Sequence, residues 1–349
     1  MMKILLIRFS ALGDVAMTLP VVWSLARQYP DLKITILSRK SFSALFELLP
    51  PNVDFIGADF KVEHRGVMGL HRLFYKVLNP LKFDYVADLH WVLRSMILGF
   101  RFRLAGIPIA HIDKGRAQKA ELTRREDKEF VPLRTSFERY ADVFAKLGFP
   151  IKFDFTSIFE GKGDLSVISD FTGPKGKDRW IGIAPFAKHQ GKMYPLNKME
   201  KVVEYFEKQP QLKLFLFGAG SEEHEVLSKW KAKYPSVLVA EGNLRMKTEL
   251  ILMSHLDVMI SMDSANMHLA SLVGTPVVSI WGATHPFAGF LGWKQKESNC
   301  VQVDLDCRPC SVFGNKPCFR GDYACMNSID MQTIIDCVEK IGAAPNLTK

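Results

Sequence analysis

The segment over residues 262–286 carries the densest set of side chains that could bind an anion. It reads M-D-S-A-N-M-H-L-A-S-L-V-G-T-P and ends in W-G-A-T-H-P. Asp263 and Ser264 follow an apolar run and begin a predicted helix, whose first N–H groups have no partner within the helix. His268 lies four residues after Ser264 and therefore on the same helix face. The pattern predicts an anion site at this helix start, although an isolated His is more often a structural residue.

A second candidate anion site is the loop A-P-F-A-K-H-Q-G-K-M-Y-P over residues 184–195. Lys188 and Lys192, with a glycine between them and a helix predicted to follow, could offer cations and backbone N–H groups to a diphosphate. The loop does not have the spacing of a Walker sequence. A flexible basic loop without a ligand is the alternative interpretation.

The segment F-G-A-G-S-E-E over residues 217–223 ends another predicted strand. Gly218 opens the turn, and Glu222 and Glu223 follow it. A carboxylate just past a strand end can accept hydrogen bonds from both hydroxyls of a ribose. Acidic residues are also favoured in the first turn of any solvent-facing helix, so both interpretations stay open.

The loop F-S-A-L-G-D-V over residues 9–15 follows the first predicted strand. Gly13 permits tight backbone geometry, and Asp14 lies at the opening of the next helix. An aspartate at a helix start is by default an N-cap, worth about 1 kcal/mol. Its place at the end of a strand, beside a predicted ligand site, also suits a general base.

Positive charge is concentrated in the first half of the chain. Residues 1–165 carry 25 Lys and Arg against 18 Asp and Glu, whereas residues 166–349 carry 21 against 19. An anionic partner fits this asymmetry, and a merely solvated basic surface is the alternative. The sequence shows neither a nucleic-acid reading motif nor aromatics interleaved with the basic residues, so nucleic acid is not expected. The leading candidates for gripping an anionic acceptor are Arg116, Lys119, Arg124 and Arg125.

Four cysteines form a C-x2-C-x7-C-x6-C cluster. Four thiols could complete a structural tetrahedral zinc site, but the spacing is not that of a common zinc template. Plain reduced thiols, in a loop that holds a predicted C-terminal helix near residues 330–342, are the other interpretation. Disulfides do not suit the cytoplasmic location expected of a chain with no long apolar run. The cysteines are Cys307, Cys310, Cys318 and Cys325.

Apolar, β-branched runs alternate with helical stretches along the chain, which predicts βαβ units and parallel sheets. With 349 residues, two cores are expected rather than one. A polar, glycine-rich stretch over residues 159–178 separates two series. We therefore predict an α/β protein with two Rossmann-like, doubly wound domains, residues 1–165 and 166–349, facing an interdomain cleft. The predicted strands are 3–8, 33–37, 53–57, 83–89, 180–185, 213–218, 236–241, 257–262 and 276–282.

The segments S-A-L-G-D-V-A-M-T-L-P, K-M-Y-P, D-S-A-N-M-H-L-A, G-T-P and W-G-A-T-H-P occur in one order along the chain. In this the sequence resembles glycosyltransferase family 9, the ADP-heptose:lipopolysaccharide heptosyltransferases. The resemblance implies the two-domain architecture called GT-B, with the acceptor on the N-terminal domain and the nucleotide-sugar on the C-terminal one. It also implies an inverting transfer from a donor such as ADP-heptose to a lipopolysaccharide inner-core glycolipid at the inner membrane, without a catalytic metal.

By this resemblance Asp14 matches the catalytic base, Lys192 the lysine at the donor phosphates, and Glu222 or Glu223 the ribose-binding carboxylate. The family's donor-site pattern D-[ST]-G-x-x-H differs here in one position, because Ala265 stands where glycine is usual. The added methyl group would narrow the approach to the sugar or phosphate. A GT-B transferase with another donor, or a nucleotide-sugar epimerase, is therefore the alternative. The remaining matches to the donor-site pattern are Asp263, Ser264 and His268.

Overall fold

The computed structural model describes residues 1–343, which divide into two compact units. Unit 1 consists of Met1–Lys114 and Arg134–Ile158, and unit 2 of Gly115–Leu133 and the chain from Phe159 onward. The sequence placed residues 115–133 with the first half, whereas this segment groups with unit 2. The segment comes after Ile109–His111, the last strand of the unit 1 sheet, and contains no strand of its own, so no strand pattern in the sequence ties it to either half.

Each unit is built on one parallel sheet. The strands of unit 1 are β1 Lys3–Ile7, β2 Lys33–Arg39, β3 Val53–Ala58, β4 Tyr85–Asp88 and β5 Ile109–His111; those of unit 2 are β6 Arg179–Ala184, β7 Leu212–Leu216, β8 Leu238–Val239, β9 Val258–Met262, β10 Val277–Ile280 and β11 Cys300–Val301. The strand order is β3-β2-β1-β4-β5 in unit 1 and β11-β10-β9-β6-β7-β8 in unit 2. The predicted α/β class with two Rossmann-like units is confirmed.

Helices connect the strands. They are α1 Leu12–Ala16, α2 Leu19–Gln28, α3 Gly66–Leu73, α4 Leu93–Leu104, α5 Arg116–Leu122, α6 Ser136–Lys146, α7 Ser169–Thr172, α8 Leu196–Glu207, α9 Ser221–Lys233, α10 Met246–His255, α11 Ala265–Leu272, α12 Ala324–Asn327 and α13 Met331–Ala343. Short 3-10 segments lie at Lys40–Phe46, Asn79–Leu81, Leu165–Ile168, Gln190–Lys192, Pro286–Ala288 and Glu297–Asn299, and one π-helical turn at Phe74–Leu78. Among the described helices, none is both long enough and apolar enough to cross a bilayer.

Every predicted strand is observed within a few residues of its expected bounds. One of them is much shorter than predicted, and two observed strands, β5 and β11, were not predicted. The expected strand 236–241 keeps only Leu238–Val239 in register with β7. The strands β5 and β11 have three and two residues. Runs this short carry no period-two signal, so only pairing with a neighbouring strand reveals them.

Burial on both faces explains why the central strands are almost wholly apolar. The β1 side chains from Ile4 to Ile7 are fully buried, as expected for a parallel strand covered by helices on both sides. Unit 2 has its own core, which includes Ile183, Ile260 and Val278 from neighbouring strands. The helix α13 adds Ile334 and Val338 to this core, and its observed bounds agree with the predicted C-terminal helix.

The strand order determines where a ligand can bind. In unit 1 the strand order reverses direction between β1 and β4, and in unit 2 it reverses between β6 and β9. Ligands of open α/β sheets bind beyond the carboxyl ends of the strands at such switch points. The loops that follow β1, β6 and β9 are those that carry Asp14, Lys192 and Asp263.

Candidate active site

In unit 1, Asp14 is held by a buried arginine that directly follows β1. The Arg8 Nη2 atom lies 2.9 Å from Asp14 Oδ1, with 9% of the Arg8 side chain and 28% of the Asp14 side chain exposed. Arg8 Nη1 also donates to the Leu89 carbonyl oxygen at 2.7 Å, which fixes the guanidinium. A carboxylate held by a buried cation and partly open to solvent has the position that a proton acceptor needs.

Asp14 is not the N-cap of α1, which was the alternative interpretation. The N-cap is Ala11, and Asp14 is the third helical residue, where its Oδ2 atom accepts a hydrogen bond from the Ala11 N–H at 3.0 Å. One carboxylate oxygen therefore closes the helix start and the other faces Arg8. Gly13 lies within the same turn, as expected.

A neutral histidine lies near this pair. The Nδ1 atom of His90 accepts a hydrogen bond from the Phe9 N–H at 3.3 Å. Burial, followed by the charge of Arg8, lowers the pKa of His90 to about 3. The imidazole is therefore uncharged at neutral pH.

Sequence reasoning missed both Arg8 and His90. Arg8 is the first charged side chain after the apolar run of β1, and His90 lies two residues beyond Asp88, the last residue of β4. The position just beyond a strand end was the signal that could have identified them. The sequence analysis considered only strand ends that are followed by glycine-rich loops.

In unit 2, the predicted donor-site residues Lys192 and Asp263 form an ion pair. Lys192 Nζ lies 2.8 Å from Asp263 Oδ2, with 17% of the lysine side chain and 5% of the aspartate side chain exposed. Thr284 donates its hydroxyl to the same Asp263 oxygen at 2.8 Å. The loops after β6, β9 and β10 therefore meet at one carboxylate, which holds the lysine in place.

Glycine backbone makes this close approach possible. A Cβ atom on Gly191 would lie 2.9 Å from the Ala283 Cβ, and one on Gly314 would lie 2.4 Å from the Lys192 side chain. The Ala283 N–H also donates to the Gly191 carbonyl oxygen at 2.8 Å. Larger residues at these two positions would push the lysine loop away from Asp263.

Lys188 lies four residues before Lys192 and is exposed. Burial, followed by the charges of Lys188 and Lys192, lowers the pKa of His189. The ion pair of Lys192 with Asp263 anchors this loop.

The helix α11 begins directly after Asp263, with Ser264 as its N-cap and Ala265 as its first residue. The Ser264 side chain makes no cap hydrogen bond and lies 3.3 Å from the Ser261 hydroxyl. His268 is on this helix, as predicted, and is buried. The N–H groups of the first turn, which have no partner within the helix, follow directly after Asp263 along the chain.

The two glutamates at the start of α9 have different environments. The Glu223 Oε2 atom accepts a hydrogen bond from the Ala219 N–H at 2.7 Å, and burial raises the pKa of Glu223. Glu222 is exposed. A Cβ on Gly218 would come within 2.8 Å of Leu227, so a glycine is needed in this turn. One oxygen of Glu223 is thus already bonded to the backbone, whereas Glu222 is open to solvent.

The four basic residues expected to grip an acceptor lie in unit 2, not in the N-terminal unit. Lys119 is buried, with its Nζ atom 4.1 Å from the centre of the Phe290 ring. Arg124 pairs with a glutamate of its own helix region at 2.7 Å, and Arg125 lies 4.1 Å from the Phe319 ring centre. Arg116 is exposed. Three of the four side chains, those of Lys119, Arg124 and Arg125, therefore already contact other side chains of unit 2.

The four clustered cysteines are free thiols. Burial raises the pKa of Cys310, and it raises that of Cys325 to about 11, so both thiols are protonated at neutral pH. Within residues 1–343, no group of three or more His, Cys, Asp or Glu side chains is placed to hold a metal ion.

The chain is similar in sequence to known proteins. The family model of glycosyltransferase family 9 (heptosyltransferase) matches residues 71–317. The chain is 25% identical to the lipopolysaccharide core heptosyltransferase OpsX of Haemophilus influenzae over 295 residues, which cover 80% of this chain and 79% of that protein. It is 22% identical to lipooligosaccharide heptosyltransferase 2 of Campylobacter jejuni over 349 residues, covering 98% and 99% of the two chains.

Solved structures show the same fold. The glycosyl transferase family 9 protein of Veillonella parvula superimposes with a TM-score of 0.74 at 19% identity, covering 97% of each chain. The E. coli heptosyltransferase WaaC with ADP superimposes with a TM-score of 0.69 at 16% identity, covering 97% of this chain and 100% of that one. The chain, with its two Rossmann-like units of the GT-B kind, belongs to glycosyltransferase family 9, the heptosyltransferase family, and is a glycosyltransferase.

Proposed function

We propose that this enzyme transfers a heptose from ADP-heptose to the inner core of lipopolysaccharide, with inversion at the anomeric carbon and without a metal ion. The observation that carries the proposal is the Lys192–Asp263 pair next to the start of α11. A fixed cation beside a helix start supports the proposal, because both would stabilise the charge of a leaving diphosphate. The names of the relatives supply the acceptor class, because those proteins are lipopolysaccharide or lipooligosaccharide heptosyltransferases.

The donor is proposed to bind through unit 2. Lys192 and the N-terminus of α11 would hold the diphosphate, with Lys188 adding positive charge, and Glu222 would accept the ribose hydroxyls. Gly218 keeps the turn before α9 open for the nucleoside. The structural relative with bound ADP supports an adenine nucleotide as the first donor to test.

Asp14 is proposed as the general base. It would remove the proton from the acceptor hydroxyl while that oxygen forms a bond to the anomeric carbon and the bond to the diphosphate breaks, releasing ADP. The departing negative charge would be taken up by Lys192 and the α11 backbone instead of Mg²⁺. A single displacement of this kind inverts the anomeric configuration.

The donor assignment is tested by thermal shift with ADP, UDP, GDP and their sugars, because a ligand that binds only the folded state raises its melting temperature. We expect the largest shift with ADP-heptose. A larger shift with a uridine or guanosine nucleotide would overturn the donor assignment. Turnover that is unchanged after treatment with EDTA, together with a metal content well below one atom per chain, would support metal independence and reduced cysteines.

The acceptor is proposed to be an anionic glycolipid, with the enzyme peripheral to the cytoplasmic face of the inner membrane. Of the four basic residues first considered, Arg116 is the best remaining candidate because it is exposed. Changing Arg116 to Glu should raise the acceptor KM more than the donor KM. Equal effects on both would remove Arg116 from the acceptor site.

A transferase or epimerase that uses a different nucleotide-sugar is the second candidate, and Ala265 favours it. Ala265 is the first residue of α11, where its methyl group stands beside the free N–H groups. Formation of an isomerised sugar nucleotide in the absence of any acceptor would identify an epimerase. Product that forms only with acceptor present would exclude it.

A further inference from the structure

The helix α4 has an apolar stripe on its solvent-facing side as well as on its buried side. Its inner face packs into the core of unit 1 through Leu98 and Phe102, which are 0% and 1% exposed. The outer stripe follows the helical spacing of three or four residues. It consists of Leu93, Met96, Phe100 and Leu104, which are 73%, 41%, 62% and 72% exposed.

Exposed apolar side chains continue onto the neighbouring element. The α3 helix and its π-helical extension carry Met68 at 77% and Tyr75 at 49% exposure. These two residues are seven positions apart, which places them on roughly the same side of a helix. Arg101 of α4 donates to the Tyr75 hydroxyl at 3.4 Å and lies over its ring, so the two elements share one surface. We call Met68, Tyr75 and the outer stripe of α4 the α3–α4 surface.

The charged residues in the segments that form this surface are all basic. Residues 65–78 and 93–104 contain six Lys and Arg and no Asp or Glu. Arg72, Lys76, Arg94 and Arg103 are exposed. Basic residues beside an exposed apolar stripe, with no acidic residue among them, are typical of helices that lie on an anionic membrane.

We propose that the α3–α4 surface docks the enzyme on an anionic phospholipid bilayer. The apolar stripe would enter the boundary between headgroups and acyl chains, and the flanking arginines and lysines would contact the lipid phosphates. The biological role of this docking rests on the proposed function, because docking would bring the enzyme to a lipid-anchored acceptor. The binding itself needs neither donor nor acceptor.

The test is flotation of the full-length protein with vesicles that hold no glycolipid. One set is made of phosphatidylcholine alone, and the other contains about one third phosphatidylglycerol. We expect the wild type to float with the anionic vesicles and to be released by salt. The double variant Phe100→Ser and Leu104→Ser should partition at least about tenfold more weakly.

Two controls separate docking from misfolding and from loss of catalysis. Val167→Ser changes an equally exposed apolar residue of unit 2, 59% exposed, and should float as the wild type does. The α4 double variant should keep its turnover with a water-soluble, deacylated acceptor, because its side chains point away from the unit 1 core.

Three results would overturn the proposal. They are wild-type protein that does not float, an α4 double variant that floats equally well, and binding that is the same with neutral vesicles. If the wild type is instead a dimer that this double variant dissociates, the surface joins two copies of the chain. Failure of the vesicle assay would leave transfer to a soluble acceptor unaffected, so it is distinguishable from failure of the proposed function.

Discussion

The two units each hold one cation–carboxylate pair at the end of a central strand, but they expose opposite members of it. In unit 1 the carboxylate of Asp14 is the more exposed partner, 28% against 9% for Arg8. In unit 2 the cation Lys192 is the more exposed, 17% against 5% for Asp263. The same type of ion pair therefore exposes a carboxylate in unit 1 and a cation in unit 2. In each pair the buried partner positions the exposed one.

The buried partners are anchored in matching ways. Arg8 donates to the Leu89 carbonyl oxygen, and Asp263 accepts from the Thr284 hydroxyl. Removing an exposed partner should therefore lower turnover more than it lowers stability. Since it also leaves its buried partner uncompensated, stability should fall as well, and by more where burial is deeper.

The largest effect is expected from Asp14→Asn. Turnover should fall by about 10²-fold or more, because the amide cannot accept the proton, while donor affinity changes little. The single amide oxygen can accept from the Ala11 N–H or from Arg8 but not from both, so the melting temperature should also drop. Steady-state kinetics and thermal unfolding measure both. Near-normal turnover in the folded variant would mean that the base is another residue.

The next effect is expected from Lys192→Met, which should lower turnover by about 10-fold to 100-fold through loss of charge at the leaving diphosphate. It should also cost about 3 kcal/mol of stability, because Asp263 becomes an unpaired buried charge. The matched control is Lys192→Met combined with Asp263→Asn. We expect this double variant to regain stability in denaturant unfolding without regaining turnover. Recovery of turnover would show that the lysine is structural only.

A smaller effect concerns pH and the histidine beside the unit 1 pair. The folded pKa of His90 is about 3, below its usual 6.5, so the unfolded chain binds a proton that the folded one rejects. Stability should therefore decline as pH falls from about 6.5 towards 3 and be unaffected by His90 above that range. His90→Gln should flatten this part of the profile. An unchanged slope in urea unfolding across these pH values would contradict the buried, neutral His90.

The smallest effect is expected from Ala265→Gly at the start of α11. Removing the methyl group should widen the approach to the free N–H groups and lower the donor KM by a few fold. The cost in helix stability is at most about 1 kcal/mol, and less at a first helical position. Comparing KM for ADP-heptose with that for other nucleotide-sugars measures the effect. A rise in KM for every donor would mean that the methyl group does not limit donor access.

The sequence by itself was enough to predict the two α/β units and the loops that carry the candidate site. Apolar strand runs, the helical stretches between them and the glycine-rich loops are local patterns, each legible within about ten residues. The rule that ligands bind beyond parallel strand ends then selected Asp14, Lys192 and Asp263 without coordinates. Strands as short as β11 were not predicted, because two residues are too few to show the alternation of buried and exposed side chains.

Only the tertiary structure decided which side chains meet and which are exposed. Lys192 and Asp263 are 71 positions apart, and Thr284 joins them from a third loop. The burial of Lys119 against Phe290 was equally invisible, since its charge suggested a surface residue. So was the exposure of the outer stripe of α4, because an apolar run looks the same in sequence whether one face or both are covered. Contacts of this kind depend on how distant segments pack, and no local pattern encodes that packing.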